Sequence, residues 1–203
     1  MYFSMKKTNF LTMGLLCFTL FLSAQTEQQK ADIEIYKPLY KVDDGSVIFT
    51  KVFEGIEGNK DEIYTKVLNY FAVAYKSAND VIQQKDKDAG VIIGKGIFEV
   101  YRSGGLVSST YDCYHTIRID IKDGRVRVAL SVNNYELKMV TSKGTDRYTY
   151  AIVDNYPISE GTKLNRKNYA DVFIGLCATT VNTFAAIEKS LKESSTFAPS
   201  DDW

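Results

Sequence analysis

One histidine and three cysteines are all that this 203-residue chain offers to thiol, imidazole or soft-metal chemistry. Cys113 and His115 stand two positions apart, Cys177 lies far along the chain, and Cys17 sits in an N-terminal apolar run. A structural zinc site takes four ligands, usually as close pairs. Here Cys113, His115, Cys177 and an acid would have to converge, and no spacing asks for it. His115 shares strand parity with Ile117, Ile119 and Ile121, so a packed, hydrogen-bonded ring is expected rather than a general base. Cys113 has the same parity, and Cys177 lies beside Phe173 and Val181 on the apolar side of a helix. A helix axis about 10 Å above a sheet keeps such Cα atoms roughly 7.7 Å apart. That exceeds disulfide reach, so two buried free thiols are expected.

Other chemical patterns are incomplete. Gly90-Val-Ile-Ile-Gly94-Lys95-Gly96 resembles a phosphate loop with three residues between its glycines, where the motif needs four and a Ser or Thr after the lysine. Asp86-Lys-Asp88 with Gly90 opens like a calcium loop but lacks the closing glutamate. The acid pairs Asp43-Asp44 and Asp201-Asp202 lie in leads and tails, where nothing would raise a carboxyl pKa. No metal, no cofactor and no catalytic constellation is expected. Twenty-five basic residues balance 25 acidic ones, so no global positive field exists to hold a nucleic acid.

The N-terminus carries a different signal. Lys6 and Lys7 precede an uncharged run from Phe10 to Leu22, followed by Ser23 and Ala24. Basic head, apolar middle and small-residue end are the three parts of a secretory signal peptide, with cleavage expected after Ala24. A spanning helix needs about 20 apolar residues, more than this run supplies. Residues 25–203 are then read as a single exported domain with no transmembrane segment, with a core at about 47–193 and a polar tail at 194–203. Its location is expected to be periplasmic, outer-membrane-associated or secreted.

The elements that must position these side chains follow from periodicity. Gln25 to Asp44 reads as a polar lead with at most one short strand. Val47 to Glu54 is a β-branched and aromatic strand closed by Gly55. Asn59 with Glu62 three positions on marks a helix start, and Ile63, Val67, Phe71 and Ala74 continue it at helical spacing to about Ala78. Four strands are expected next, at Val81–Lys85, Val91–Tyr101, Tyr114–Lys122 and Arg125–Val132. Gly94 and Gly96 on the second let a helix or a neighbouring backbone come close.

Asp123-Gly124 between two alternating runs predicts a type I′ hairpin with both central residues at positive φ. Ile121 then faces Val126, Ile119 faces Val128 and Ile117 faces Leu130 on an apolar side. Lys122 faces Arg125, Asp120 faces Arg127, Arg118 faces Ala129 and Thr116 faces Ser131 on a wet side. Tyr135–Val140 and Tyr148–Val153 form a further hairpin turned at Ser142–Asp146. The last helix starts near Asn165 or Asn168 and runs to about Glu193.

This is an α+β chain: an antiparallel sheet of about five or more strands with two long helices on one face, in the order β-α-β-β-β-β-α. The stretches Asn59-Lys-Asp-Glu-Ile-Tyr, Ala78-Asn-Asp-Val-Ile-Gln and Asp88-Ala-Gly-Val-Ile-Ile-Gly-Lys-Gly96 resemble a family of exported bacterial domains of unknown function with a TATA-binding-protein-like fold. The resemblance covers roughly Val47 to Leu191 and implies a fold, with no catalytic residues to carry over.

What remains is the sheet face without helices. Tyr114, Arg118, Asp120 and Arg127 project from it, and parity adds Lys95, Ile97, Glu99 and Tyr101 from the preceding strand. Mixed charge with Tyr and Ile is the composition of a contact surface; a solvated sheet partly covered by residues 135–168 is the other reading. The expected role is a non-enzymatic exported domain that binds a protein, peptide or glycan of the cell envelope. The alternatives are a small-molecule pocket or enzyme between sheet and helices, lined by Phe98, His115 and the final helix, or a homodimer formed through an edge strand or the tail with Trp203.

Overall fold

Ser108–Lys122 and Arg125–Thr141, here β5 and β6, form the long central hairpin of the computed structural model, which describes residues 25–75, 78–103, 108–157 and 166–193. The expected signal segment, the loop containing Gly161 and the tail with Trp203 lie outside those residues. Every pair of the expected register is present, from Lys122 opposite Arg125 to Thr116 opposite Ser131. The turn itself differs. Gly124 alone takes positive φ, at 64°. Asp123 is held otherwise because its Oδ1 accepts a hydrogen bond from the Lys60 backbone N–H at 2.8 Å, and the Gly124 carbonyl accepts one from the Ile56 N–H at 3.1 Å. A turn with two positive φ values does occur, at Asp44 (44°) and Gly45 (70°). It joins β1 (Tyr40–Asp43) to β2 (Ser46–Glu54).

The polar lead is a helix, α1 (Glu27–Tyr36). Thr26 Oγ1 accepts from the Gln29 N–H and Gln29 Oε1 accepts from the Thr26 N–H, a reciprocal cap at the same three-residue spacing as the one read at Asn59. The Gln29 amide also donates to the Lys167 carbonyl and to Asp171 Oδ1, which ties α1 to the last helix. Helix α2 (Lys60–Ala74) starts at Asn59 as expected, but ends where Tyr75 becomes extended (φ −122°, ψ 140°). A single helical turn, α3 (Ala78–Val81), leads into β3 (Ile82–Asp86). After β4 (Val91–Ser103), β5 and β6 comes β7 (Gly144–Ala151), then α4 (Arg166–Lys192).

The sheet has seven strands, all neighbours antiparallel, in the order β1-β2-β6-β5-β4-β3 with β7 also on β6. The expected strands at 125–132 and 135–140 are one strand. Asn133 is the extra residue: His115 pairs with Val132 and Tyr114 with Asn134, and across that bulge β2 gives way to β7 as the outer partner of β6. Residues 135–151 therefore extend the sheet and do not cover it.

The core lies between the sheet and the helices. Ile117, Ile119 and Ile121 with Val126, Val128 and Leu130 are all buried, as are Ile63, Val67 and Phe71 of α2 and Val172, Phe173, Leu176, Ile187 and Leu191 of α4. Full burial of such a side chain contributes about 1.5–3 kcal/mol. Helix α4 is long and apolar enough, by length and composition, to cross a membrane; its apolar stripe is packed on the sheet. Gly94 and Gly96 act as expected. A Cβ at Gly94 would lie 2.9 Å from the Phe71 ring, and one at Gly96 would lie 2.8 Å from the His115 ring.

The open face of the sheet as a candidate site

Even-numbered residues of β5 point away from the helices, which puts Arg118 and Asp120 on the open face; Arg127 joins them from β6. Arg118 donates through Nε to Asp120 Oδ1 at 2.9 Å, and Arg127 donates through Nε and Nη2 to Oδ2 at 3.1 and 2.8 Å. The two guanidiniums cover the carboxylate: the Asp120 side chain is 18% exposed while those of Arg118 and Arg127 remain 48% and 58% exposed. Burial alone would raise the Asp120 pKa, but the hydrogen bonds from Arg118 and Arg127 outweigh it and hold the carboxyl below its ordinary range. Both Arg side chains thus keep outward donors for a ligand.

Beside this triad lies a cleft of about 300 Å³ between Val52 of β2 and Lys122, Arg125 and Arg127 of the central hairpin. Val52 is opposite Arg127, and exposed Ile97 and Lys95 extend the face onto β4. Tyr114 is on this face and 37% exposed. Its phenol pKa is raised, by burial first and then by Glu136 and Asp112.

Tyr101 is not on this face. A bulge at Val100 sets Glu99 opposite Asp112 but Tyr101 opposite Tyr111, so Tyr101 turns to the helix side and packs with its ring centroid 5.9 Å from that of Tyr111. One inserted residue reverses side-chain parity beyond it. The expectation that Tyr101 belongs to the open face is corrected accordingly.

A row of acids was missed. Glu99, Asp112 and Glu136 stand on adjacent strands, opposite one another, and burial followed by the charges of Glu99 and Glu136 raises the Asp112 pKa. Strand parity placed Glu99 outward; only the continuity of β6 past Asn133 brings Glu136 beside Asp112. Arg147 of β7 pairs with Glu136, and Arg102 donates to both oxygens of Glu99 at 3.0 and 2.8 Å.

On the helix side, His115 is 3% exposed, stacks on Phe98 at 3.8 Å between centroids, and has Nε2 3.4 Å from Tyr75 Oη. Its Nδ1 has no hydrogen-bond partner. Burial holds the imidazole down to about 4, against a smaller opposing pull from the Cys113 backbone, so the ring is neutral at pH 7. Phe98, His115 and Tyr75 fill the layer where a pocket between sheet and helices was considered. Cys113 and Cys177 are buried and free, and burial pushes both thiols up to about 12, where they carry no nucleophilic thiolate. Among the described residues, no group of three or more His, Cys, Asp or Glu is placed to hold a metal ion.

The comparisons with known proteins agree with this architecture. Residues 49–136 match the family described as "Domain of unknown function (DUF4468) with TBP-like fold". The fold is similar to that of a DUF4468 family protein from Bacteroides ovatus ATCC 8483, with 20% identity and a TM-score of 0.56 over 78% of this chain and 93% of that one. It is also similar to a TBP-like protein from Parabacteroides distasonis ATCC 8503, with 14% identity and a TM-score of 0.57 over 76% and 97%. No curated protein matches the chain. The matched segment runs from β2 into β6, so it spans the triad and most of the open face.

Proposed function

We propose that this chain is an exported, non-enzymatic binding domain whose working surface is the open face of its sheet and whose partner is a protein, peptide or glycan of the cell envelope. One observation carries the reading. Among the described residues, the helices pack on one side of the sheet, and the other side presents the Arg118–Asp120–Arg127 triad beside exposed Val52 and Ile97. A surface that joins exposed apolar side chains to pre-ordered guanidiniums is suited to recognition, because arginine contributes strongly to interfaces when its neighbours exclude water. Export is supported by Lys6 and Lys7 ahead of the apolar run to Leu22.

The test is capture from solubilised cell envelope on the immobilised protein and on an Arg118→Glu, Arg127→Glu variant, with melting temperatures measured alongside. A species held by the parent and lost with the variant supports the reading, provided both proteins fold. Retention of the same species by both would overturn the assignment of the face.

A further inference from the structure

The open face is electrically divided, and its lower half carries a surplus of positive charge. Across β2 to β6, below the row of Ile97 and Tyr114, five cations (Lys95, Arg118, Lys122, Arg125 and Arg127) project outward. Three carboxylates share that area: Asp120, Glu54 and, on β3, Asp86. Two positive charges are left over. Asp120 is occupied by Arg118 and Arg127, Glu54 binds Arg125 at 2.9 Å, and Asp86 accepts from the Ala89 N–H at 2.8 Å. Lys95 and Lys122 have no ion pair among the described residues, and both are exposed. The upper half is balanced instead, with Glu99, Asp112 and Glu136 beside Arg102, Lys138 and Arg147.

We infer that the lower half of this face binds an acidic peptide segment in extended conformation; this rests on the face being the working surface, as proposed above. Three features select the occupant. The charge surplus calls for a polyanion. The triad already holds one carboxylate, that of Asp120, in charge-assisted hydrogen bonds, so the same guanidiniums present their remaining donors to a second. Along one strand, outward residues recur about 6.8 Å apart, the repeat of alternate side chains in an extended peptide. Acidic side chains at alternate positions would therefore meet Arg125 and Arg127 in turn beside Val52 in the 300 Å³ cleft, and the intervening side chains would point away from the sheet. A glycan fits less well, because no aromatic ring among the described residues of this lower half offers a platform for a sugar.

Lys95 and Lys122 give the cleanest variants, since neither is needed to hold Asp120. The experiment is fluorescence anisotropy with three labelled probes: a peptide alternating Glu with Val, the same peptide with Lys for Glu, and an oligogalacturonate of similar length. The purified protein is compared with its Lys95→Glu, Lys122→Glu variant, with melting temperatures confirming that both fold. Expected are binding of the acidic peptide alone, at least tenfold weaker binding by the variant, and weakening as NaCl rises from about 50 to 500 mM. Binding of the oligogalacturonate alone overturns the peptide class, and binding of the basic peptide overturns the selection for acidic charge; either result leaves the face as the working surface. Equal binding of the acidic peptide by parent and variant overturns the site. No binding of any probe overturns the inference that the charge surplus selects an anion.

Discussion

The His115 ring is stacked on Phe98, closed over by Tyr75 and left neutral. It is packed on the helix side, as its shared parity with Ile117, Ile119 and Ile121 predicts. A histidine that is hard to protonate when folded makes stability depend on acid. The unfolded chain takes up this proton near pH 6.5, the folded chain only near 4. Stability from this group is therefore complete above about 6.5 and is lost as the pH falls through 4, by up to about 3 kcal/mol. His115→Phe should flatten that part of the profile. Urea unfolding of both proteins at pH 7.5 and 4.5 checks it, and an equal acid loss in parent and variant would refute the assignment. Tyr101 teaches the complementary lesson. Parity put its ring on the open face, but its side was decided by a single bulged neighbour, Val100.

At the scale of elements, α4 comes close to the backbone of β4 at Gly175. A Cβ on Gly175 would lie 2.1 Å from the Val100 carbonyl oxygen, a backbone atom that cannot swing aside. Alanine in a helix is favoured over glycine by up to about 1 kcal/mol, but here the clash dominates. Gly175→Ala is expected to cost about 1–3 kcal/mol or more, as overpacked sites do. Gly94→Ala meets the Phe71 ring at 2.9 Å, a side chain with some freedom to shift, and should cost less. Thermal melts of the two variants test the order; a Gly175→Ala protein as stable as the parent would show that α4 does not need this contact. The helix starts at Asn59 and Thr26 obey one rule, a polar cap with an amide or carboxylate partner three residues on. It was legible at both sites. At Thr26 it was overlooked because α1 has a weak apolar stripe and is fastened to α4 through Gln29.

Over the whole molecule, the strand order puts β5 and β6 at the centre and leaves β3, β1 and β7 at edges. Amide exchange should follow that order. Ile117, Ile119, Val128 and Leu130 are fully buried and should exchange slowest, while β7, exposed at all eight positions, should exchange at least about a hundredfold faster. Mass-spectrometric hydrogen exchange would show this, and equal protection of β7 and β5 would mean that something covers the β7 edge. The same order explains how much was legible beforehand. The sequence by itself determined the central hairpin register, the cap of α2, the one-sided burial of the sheet and the small-residue positions at Gly94 and Gly96, because each is set by residues a few positions apart. Arg118, Asp120 and Arg127 came with that register. The tertiary structure alone decided that β6 continues past Asn133, that β2 and β7 share its outer side, that Asp123 gives up a type I′ turn to bind α2, and that Tyr101 faces inward. Each of those depends on contacts between distant segments or on one bulged residue, and a pattern with a period of two carries no record of where it will slip.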